Sequence, residues 1–327
     1  MAFFKRLSKE KRMAENFKTP LIDLTGRTVI VTGGNAGIGF EACRIFTQMN
    51  PEKLVIAARS ESRGAQASKL IAGTPGAKCT PDVWPLDLTS LTSVEAFAKR
   101  CISELRRLDV LLLNAGVAMT KDVKTLDGYE TKLQVNGIAT ALLARLLLPL
   151  LQRSAVLPSP PGSSLVSFKP HITISASHLY RFITKLPEDG SGNVINGMNE
   201  NFSLANTYNQ TKLIAVLIVQ TVAQIAGQNV IVNNGDPGYC ETDLGKSGNF
   251  IFNAISDFMH RWARTPEQGA KAAVYACITD MPTGAYCEHM DITTPSDFVS
   301  SEPGRKLADQ VYREMNVIWK DKLQFTA

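Results

Sequence analysis

Histidine is scarce, with four in 327 residues, and no two of the six cysteines stand at Cys-x-x-Cys spacing. The usual sequence marks of a zinc site or a dithiol centre are missing, and no metal is expected. A chain of this length does not need disulfide staples. Cys43, Cys79, Cys101, Cys240, Cys277 and Cys287 therefore read as free thiols of a reduced, intracellular and cytoplasmic protein. No apolar run reaches the roughly 18–20 residues that cross a bilayer. The longest candidate, Leu142 to Leu151, is broken by Arg145 and Pro149. No apolar core of signal-peptide length opens the chain. A charge excess is also missing from the body of the protein. Of the net +5, the first 18 residues carry +4, from Lys5, Arg6, Lys9, Lys11, Arg12 and Lys18 against Glu10 and Glu15. The remainder is nearly neutral, so no nucleic-acid partner is expected. Phe3, Phe4 and Leu7 among those basic residues would suit a solvated extension or contact with an anionic membrane surface.

What is present is ordinary globular material, 44% hydrophobic and 20% charged. Strand-like runs fall at Thr28–Thr32, Leu54–Ala58, Val110–Leu113, Ile172–Ile174 and Val230–Val232. Helical patterns lie between them, at Ile38–Thr47, Ser93–Leu105, Leu133–Leu151 and Leu213–Ile225. Repeated βα units with nearly continuous apolar strands predict a parallel sheet covered on both faces. No repeat or domain boundary interrupts the pattern. Ser154–Ser167 reads as a surface loop, residues 178–206 as a long loop or insertion, and residues 243–263 as a helical flap after a Pro-Gly turn.

The first strand runs into Thr32-Gly33-Gly34-Asn35-Ala36-Gly37-Ile38-Gly39. Glycine at such a turn admits positive φ and lets the backbone come close to a pyrophosphate. The helix that follows would aim its free N–H groups at the phosphates. The second strand ends in Ala57-Ala58-Arg59-Ser60, with no acid before Glu61. A carboxylate there would hold a ribose 2′-hydroxyl, whereas Arg59 can pair with a 2′-phosphate, which favours NADP(H). Arg59 could also be a plain surface arginine at a strand end. Further on, Tyr208-Asn209-Gln210-Thr211-Lys212 sets a tyrosine and a lysine four apart on one helix face. A nearby ammonium would lower the phenol from its usual pKa of about 10, making it fit to exchange a proton with a substrate oxygen.

The Thr-Gly-x-x-x-Gly-x-Gly cradle followed by Tyr-x-x-x-Lys resembles the short-chain dehydrogenase/reductase family. The likeness runs from about residue 24 to 245. Thr-Gly-Gly-Asn-Ala-Gly-Ile-Gly, the Ala-Arg-Ser strand end and Tyr-Asn-Gln-Thr-Lys-Leu are most similar to its retinol-dehydrogenase-like branch and the fungal relatives of that branch.

The resemblance implies a single doubly wound Rossmann domain of about seven strands over residues 24–327. Residues 1–23 would be a basic extension, and 243–263 a substrate lid. It implies an NADP-dependent oxidoreductase acting on a carbonyl or alcohol. The catalytic set would be Ser177, Tyr208, Lys212 and Asn136. Ser175 competes with Ser177, and Asn136 would hold a water linked to the lysine. The cofactor would lie on Gly33, Asn35, Gly37, Ile38 and Gly39. It would also meet Arg59, Asp87, Leu88, Asn114, Ala115, Gly116, Pro237, Gly238 and Thr242. Asp236 stands where that family more often has asparagine.

The separation of Ser177 from Tyr208 is longer than usual. The extra segment, with Leu179, Tyr180, Phe182, Ile183 and Leu186, would line the substrate pocket or cover a subunit surface. Ile251, Ile255, Phe258, Met259 and Trp262 form a stripe that suits an apolar lid or simple core packing. His178 is the one histidine placed to meet substrate. The family dimerises through two long helices, here Leu133–Leu151 and Leu213–Ile225, unless 178–206 covers them and leaves a monomer. The rival to an enzyme is a non-catalytic NADP-binding sensor or scaffold.

Overall fold

The computed structural model describes residues 2–118, 121–165, 167–203, 206–241 and 260–323. Its sheet is built from short apolar strands. These are β1 (Thr28–Thr32), β2 (Lys53–Ala58), β3 (Asp82–Pro85), β4 (Val110–Leu113), β5 (His171–Ser175), β6 (Ile231–Asp236), β7 (Tyr286–Glu288) and β8 (Asp291–Thr293). The order is β3-β2-β1-β4-β5-β6-β7-β8. All pairs are parallel except the last, β7 with β8. The expected doubly wound α/β sheet is therefore present, with an antiparallel edge strand beyond the roughly seven foreseen. That edge is a hairpin whose two turn residues, His289 and Met290, both have positive φ, 59° and 63°.

Side chains alternate across β1 as the pleat requires. Ile30 enters one core with Phe97, Leu142 and Ile214, while Val29 and Val31 enter the other with Phe46, Leu54 and Val274. Helices cover both faces: α2 (Gly37–Gln48), α3 (Glu61–Ala72), α4 (Leu91–Glu104), α5 (Thr131–Val156), α6 (Val194–Glu200), α7 (Thr207–Ala226), α8 (Pro266–Ile278), α9 (Asp297–Ser300) and α10 (Glu302–Lys322). α5 continues through Pro149 and contains a π turn at Gln134–Ile138. It is long and apolar enough to cross a membrane, but 89% of its most apolar stretch is buried inside the protein, as expected of a core helix.

Three sequence expectations need correction. Residues Ala2–Glu15 form a helix, α1, that sets Leu7, Glu10 and Ala14 against the body, so this part of the extension is docked rather than solvated. The side chains of Phe3 and Phe4 lie outside the described residues. The 178–206 segment is not a plain loop. It forms a 3-10 turn (His178–Phe182) and α6, and buries Tyr180, Leu186, Val194, Ile195 and Met198. Glu314 on α10 accepts from the backbone N–H of Val194 and Ile195 at the start of α6. The stripe Ala308, Val311, Met315 and Trp319 lays α10 across α7, with α6 beside it. α5 also runs to Val156, three residues into the expected Ser154–Ser167 loop.

Candidate active site

In an open sheet of this kind, ligands gather at the carboxyl ends of the strands, where the order reverses. That point lies between β1 and β4. Gly33 turns the chain out of β1 at φ +68° and donates its N–H to Ala57 O at 2.8 Å, beside the end of β2. A Cβ on Gly39 would stand 2.4 Å from Gly33 O and 2.6 Å from Asn114 Nδ2. Asn114 Nδ2 donates to Thr32 O at 3.1 Å, and Ala115 N to Thr32 Oγ1 at 3.0 Å, so the two loops are tied together. Ala36 precedes α2 without a side-chain cap, leaving the first-turn N–H groups for an outside acceptor. A cradle that a Cβ would fill, backed by an uncapped helix start, fits a pyrophosphate. Asn35, Gly37 and Ile38 are half-buried around it. Arg59 is exposed just past β2. Asp87 accepts from Thr89 N and Oγ1 at 2.9 and 2.7 Å, next to the buried Leu88. Gly116 passes close to Asn136, whose Oδ1 would lie 3.1 Å from an added Cβ.

Tyr208 and Lys212 lie in the first turns of α7, which packs against the 3-10 turn that follows Ser177. Ser177 Oγ caps that turn, accepting from Leu179 N at 3.4 Å, and its residue is half-buried. Ser175 is buried inside β5, and its hydroxyl has no hydrogen-bond partner among the described residues. The partly open position of Ser177 favours it as the substrate-facing serine. Lys212 Nζ donates to Ser175 O at 3.0 Å and stands 5.7 Å from the centroid of the Tyr208 ring.

Burial holds the Tyr208 phenol well above its ordinary pKa, and the Asp236 carboxylate and the Cys240 thiol add to the rise. Burial pushes Lys212 down to about 8, with Asp236 opposing. This direction is opposite to the lowering expected from a nearby ammonium, and burial is its largest cause.

Asn136 is in the π turn of α5. Its Nδ2 donates to Val117 O at 2.9 Å and to Thr211 Oγ1 at 3.1 Å, and its Oδ1 accepts from Val117 N at 2.8 Å. The side-chain amide thus has protein partners on both its nitrogen and its oxygen. Thr211 in turn donates to Tyr208 O at 2.7 Å, which ties the tyrosine's turn to α5. Thr242, Ile251, Ile255, Phe258 and Met259 lie outside the described residues. Trp262 is half-buried at the end of a 3-10 turn, His260–Trp262.

A charged cluster that sequence reading did not foresee adjoins this set. Asp236, 1% exposed at the end of β6, accepts from Tyr286 OH at 2.7 Å and Gly238 N at 2.8 Å. His178, Asp236 and Glu288 bring a ring nitrogen and two carboxylates within 4.8 Å of one another, a set that could hold a divalent ion. Protein groups already serve these acids. Arg6 and Arg181 approach Glu288 at 3.8 and 3.6 Å, and His289 approaches it at 3.6 Å. Burial lowers the His178 pKa, with Asp236 opposing, which favours a neutral ring. These residues come from α1, the turn after β5, β6 and β7. Only folding brings them together, and no local motif marks them. A separate cavity of about 320 Å³, lined by Lys169, Gln228 and Asp280 among others, contains none of the catalytic set.

Residues 27–156 match the family model described as short chain dehydrogenase. A short-chain dehydrogenase/reductase of Aspergillus flavipes, ffsI, is 32% identical over 304 residues, 90% of this chain and 86% of that protein. The short-chain dehydrogenase anuD of Penicillium roqueforti is 34% identical, over 93% of this chain and 80% of its own length. Among solved structures, a short chain dehydrogenase from Escherichia coli CFT073 complexed with NADPH has a TM-score of 0.60 at 21% identity. The match covers 83% of this chain and all of that one. A Shigella flexneri short chain dehydrogenase complexed with NADP has a TM-score of 0.58 at 21% identity, over 82% of this chain and 99% of that one.

Proposed function

Because the chain belongs to the short-chain dehydrogenase/reductase family of oxidoreductases, we propose that it interconverts a ketone or aldehyde and an alcohol with NADP(H), on a small to medium, apolar substrate. The observation that carries this reading is Tyr208 and Lys212 on one helix face, against the turn that Ser177 caps, at the same sheet edge as a glycine cradle with no room for a Cβ. The bound coenzyme would supply or accept the hydride. The two neighbours complexed with NADPH and NADP support the choice of coenzyme.

The protein's own groups do the rest. Gly33, Asn35, Gly37, Ile38 and Gly39 hold the pyrophosphate through backbone N–H groups, and Arg59 pairs with the 2′-phosphate. Asp87 and Leu88 flank the adenine, Asn114, Ala115 and Gly116 keep the groove wall low, and Pro237, Gly238 and Thr242 face the nicotinamide. Ser177 donates to the substrate oxygen and holds it by Tyr208. With its raised pKa, Tyr208 stays a neutral phenol near neutral pH, the form that donates a proton to a carbonyl oxygen during reduction. Lys212, anchored on Ser175 O, meets the nicotinamide ribose and offsets the charge of Asp236.

The test is NADPH consumption against a panel of ketones, aldehydes and quinones, repeated with NADH. Arg59→Asp should reduce the NADPH preference about tenfold or more, the value of a charge-assisted contact. A wild type that uses both coenzymes equally would refute the role of Arg59. Coenzyme binding without turnover of any carbonyl would favour the non-catalytic reading.

A further inference from the structure

Arg264 is 1% exposed, yet it belongs to neither the glycine cradle nor the tyrosine helix. Its Nη1 donates to Pro237 O at 2.9 Å. Its backbone N–H donates to Tyr239 O at 2.7 Å, and its carbonyl accepts from Glu241 N at 2.8 Å. Side chain and backbone therefore grip the turn after β6 at three points. Gly238, at φ +75°, passes directly beneath the guanidinium: a Cβ there would stand 2.4 Å from Arg264 Nη1. Asp236 holds the same turn from the strand side, through Gly238 N.

The far side of Arg264 is held by parts of the chain remote from the turn. Nη2 meets His289 Nδ1, and the guanidinium carbon lies 5.1 Å from the centroid of the Phe17 ring. His289 occupies a left-handed turn position, which is costly for a side-chain-bearing residue unless its surroundings fix it. Its other nitrogen faces Glu288 at 3.6 Å and Glu10 of α1 at 3.9 Å. Glu10 in turn accepts from Arg6 Nε at 2.6 Å. Polar groups thus line up from α1 through the β7–β8 hairpin to the carbonyl of Pro237, with separations of 3.6 and 3.9 Å at His289 Nε2.

We propose that Arg264 is a positioning residue for coenzyme: it fixes the Pro237–Glu241 turn at the nicotinamide side of the groove, and Phe17 and α1 hold it in place. The N-terminal segment is thereby part of the coenzyme site without touching coenzyme. This rests on the assignment of Pro237 and Gly238 to the nicotinamide side. It goes beyond that assignment in naming what sets the turn.

The test uses the full chain, with NADPH affinity read by fluorescence titration and KM and kcat measured separately. Arg264→Lys keeps the charge, but an ammonium lacks the planar fork that reaches Pro237 O through Nη1 and His289 Nδ1 through Nη2. NADPH Kd and KM should rise about tenfold, the loss of one charge-assisted hydrogen bond. The carbonyl-substrate KM should stay near wild type, and any fall in melting temperature should come together with the rise in NADPH KM. Phe17→Leu leaves the Pro237 bond but removes the ring behind the guanidinium. It should raise NADPH KM in the same direction by a smaller factor, and it serves if Arg264→Lys does not fold. The two changes combined should be less than additive, because they act on one contact chain. Wild-type NADPH affinity in both variants would overturn the proposal, as would a fall in melting temperature without a change in NADPH KM. A wild type that binds no NADPH would remove the underlying assignment, and this proposal with it.

Discussion

At the scale of residues, the proton chemistry proposed for Tyr208 is coupled to Asp236. Burial first and the Asp236 carboxylate second hold the phenol protonated, while Lys212, lowered to about 8 by burial, is partly restored by the same carboxylate. Replacing Asp236 with asparagine removes a negative charge that disfavours the phenolate. The pKa of Tyr208 should fall, and so should that of Lys212. The rising limb of the pH profile for alcohol oxidation should therefore move to lower pH in Asp236→Asn. An unchanged limb would show that Asp236 does not influence the acid. Tyr-x-x-x-Lys and the glycine cradle were legible in the sequence because their residues are close neighbours along the chain. Arg264, Glu288, His289 and Glu10 were not, because they converge from α1, β7 and the segment before α8. Asp236 was visible only as a departure from the usual asparagine. Its bond to Tyr286 requires β7 to lie beside β6.

At the scale of elements, the amino edge of the sheet depends on a buried knot. Asp109, fully buried just before β4, accepts from Arg27 Nη1 at 3.1 Å and Thr28 N at 3.0 Å. It also accepts from Arg107 Nε at 2.8 Å and Nη2 at 2.6 Å. Asp109→Ala would leave two buried guanidiniums without their carboxylate, and a loss of about 3–5 kcal/mol is expected. Urea unfolding measures this loss. Activity per folded molecule should persist, because the knot lies at the opposite end of the strands from Tyr208. The uniformly apolar β1 and β4 and the long helices α5 and α7 were readable from pattern. β3 was not, since Asp82 and Pro85 are exposed in Asp-Val-Trp-Pro and only Trp84 is buried. The β7–β8 hairpin escaped because its strands are three residues long and its turn uses His289 and Met290 instead of glycine or asparagine. α1 was read as an extension because, among its described side chains, the buried ones are Leu7, Glu10 and Ala14, an acid between two apolar contacts.

At the scale of the whole molecule, α7, one of the two helices through which a dimer was expected, is covered. α10 lies across α7, α6 is clamped to α10 by Glu314, and the 178–206 segment is folded into the core. Of the two outcomes the sequence left open, a homodimer through α5 and α7 or a covered surface, the packing favours the second. Sedimentation at micromolar concentration should give the monomer mass of 35.6 kDa. A mass twice that would mean that another face pairs, or that α10 moves aside.

The central claim is that Tyr208 is the acid of a coenzyme-dependent carbonyl reduction. Tyr208→Phe tests it most directly, because the change deletes one hydroxyl and keeps the ring that packs in the groove. NADPH affinity should be unchanged, while turnover of the best carbonyl substrate should fall by about 10²–10⁴. Turnover above a tenth of wild type, with NADPH still bound, would contradict the account.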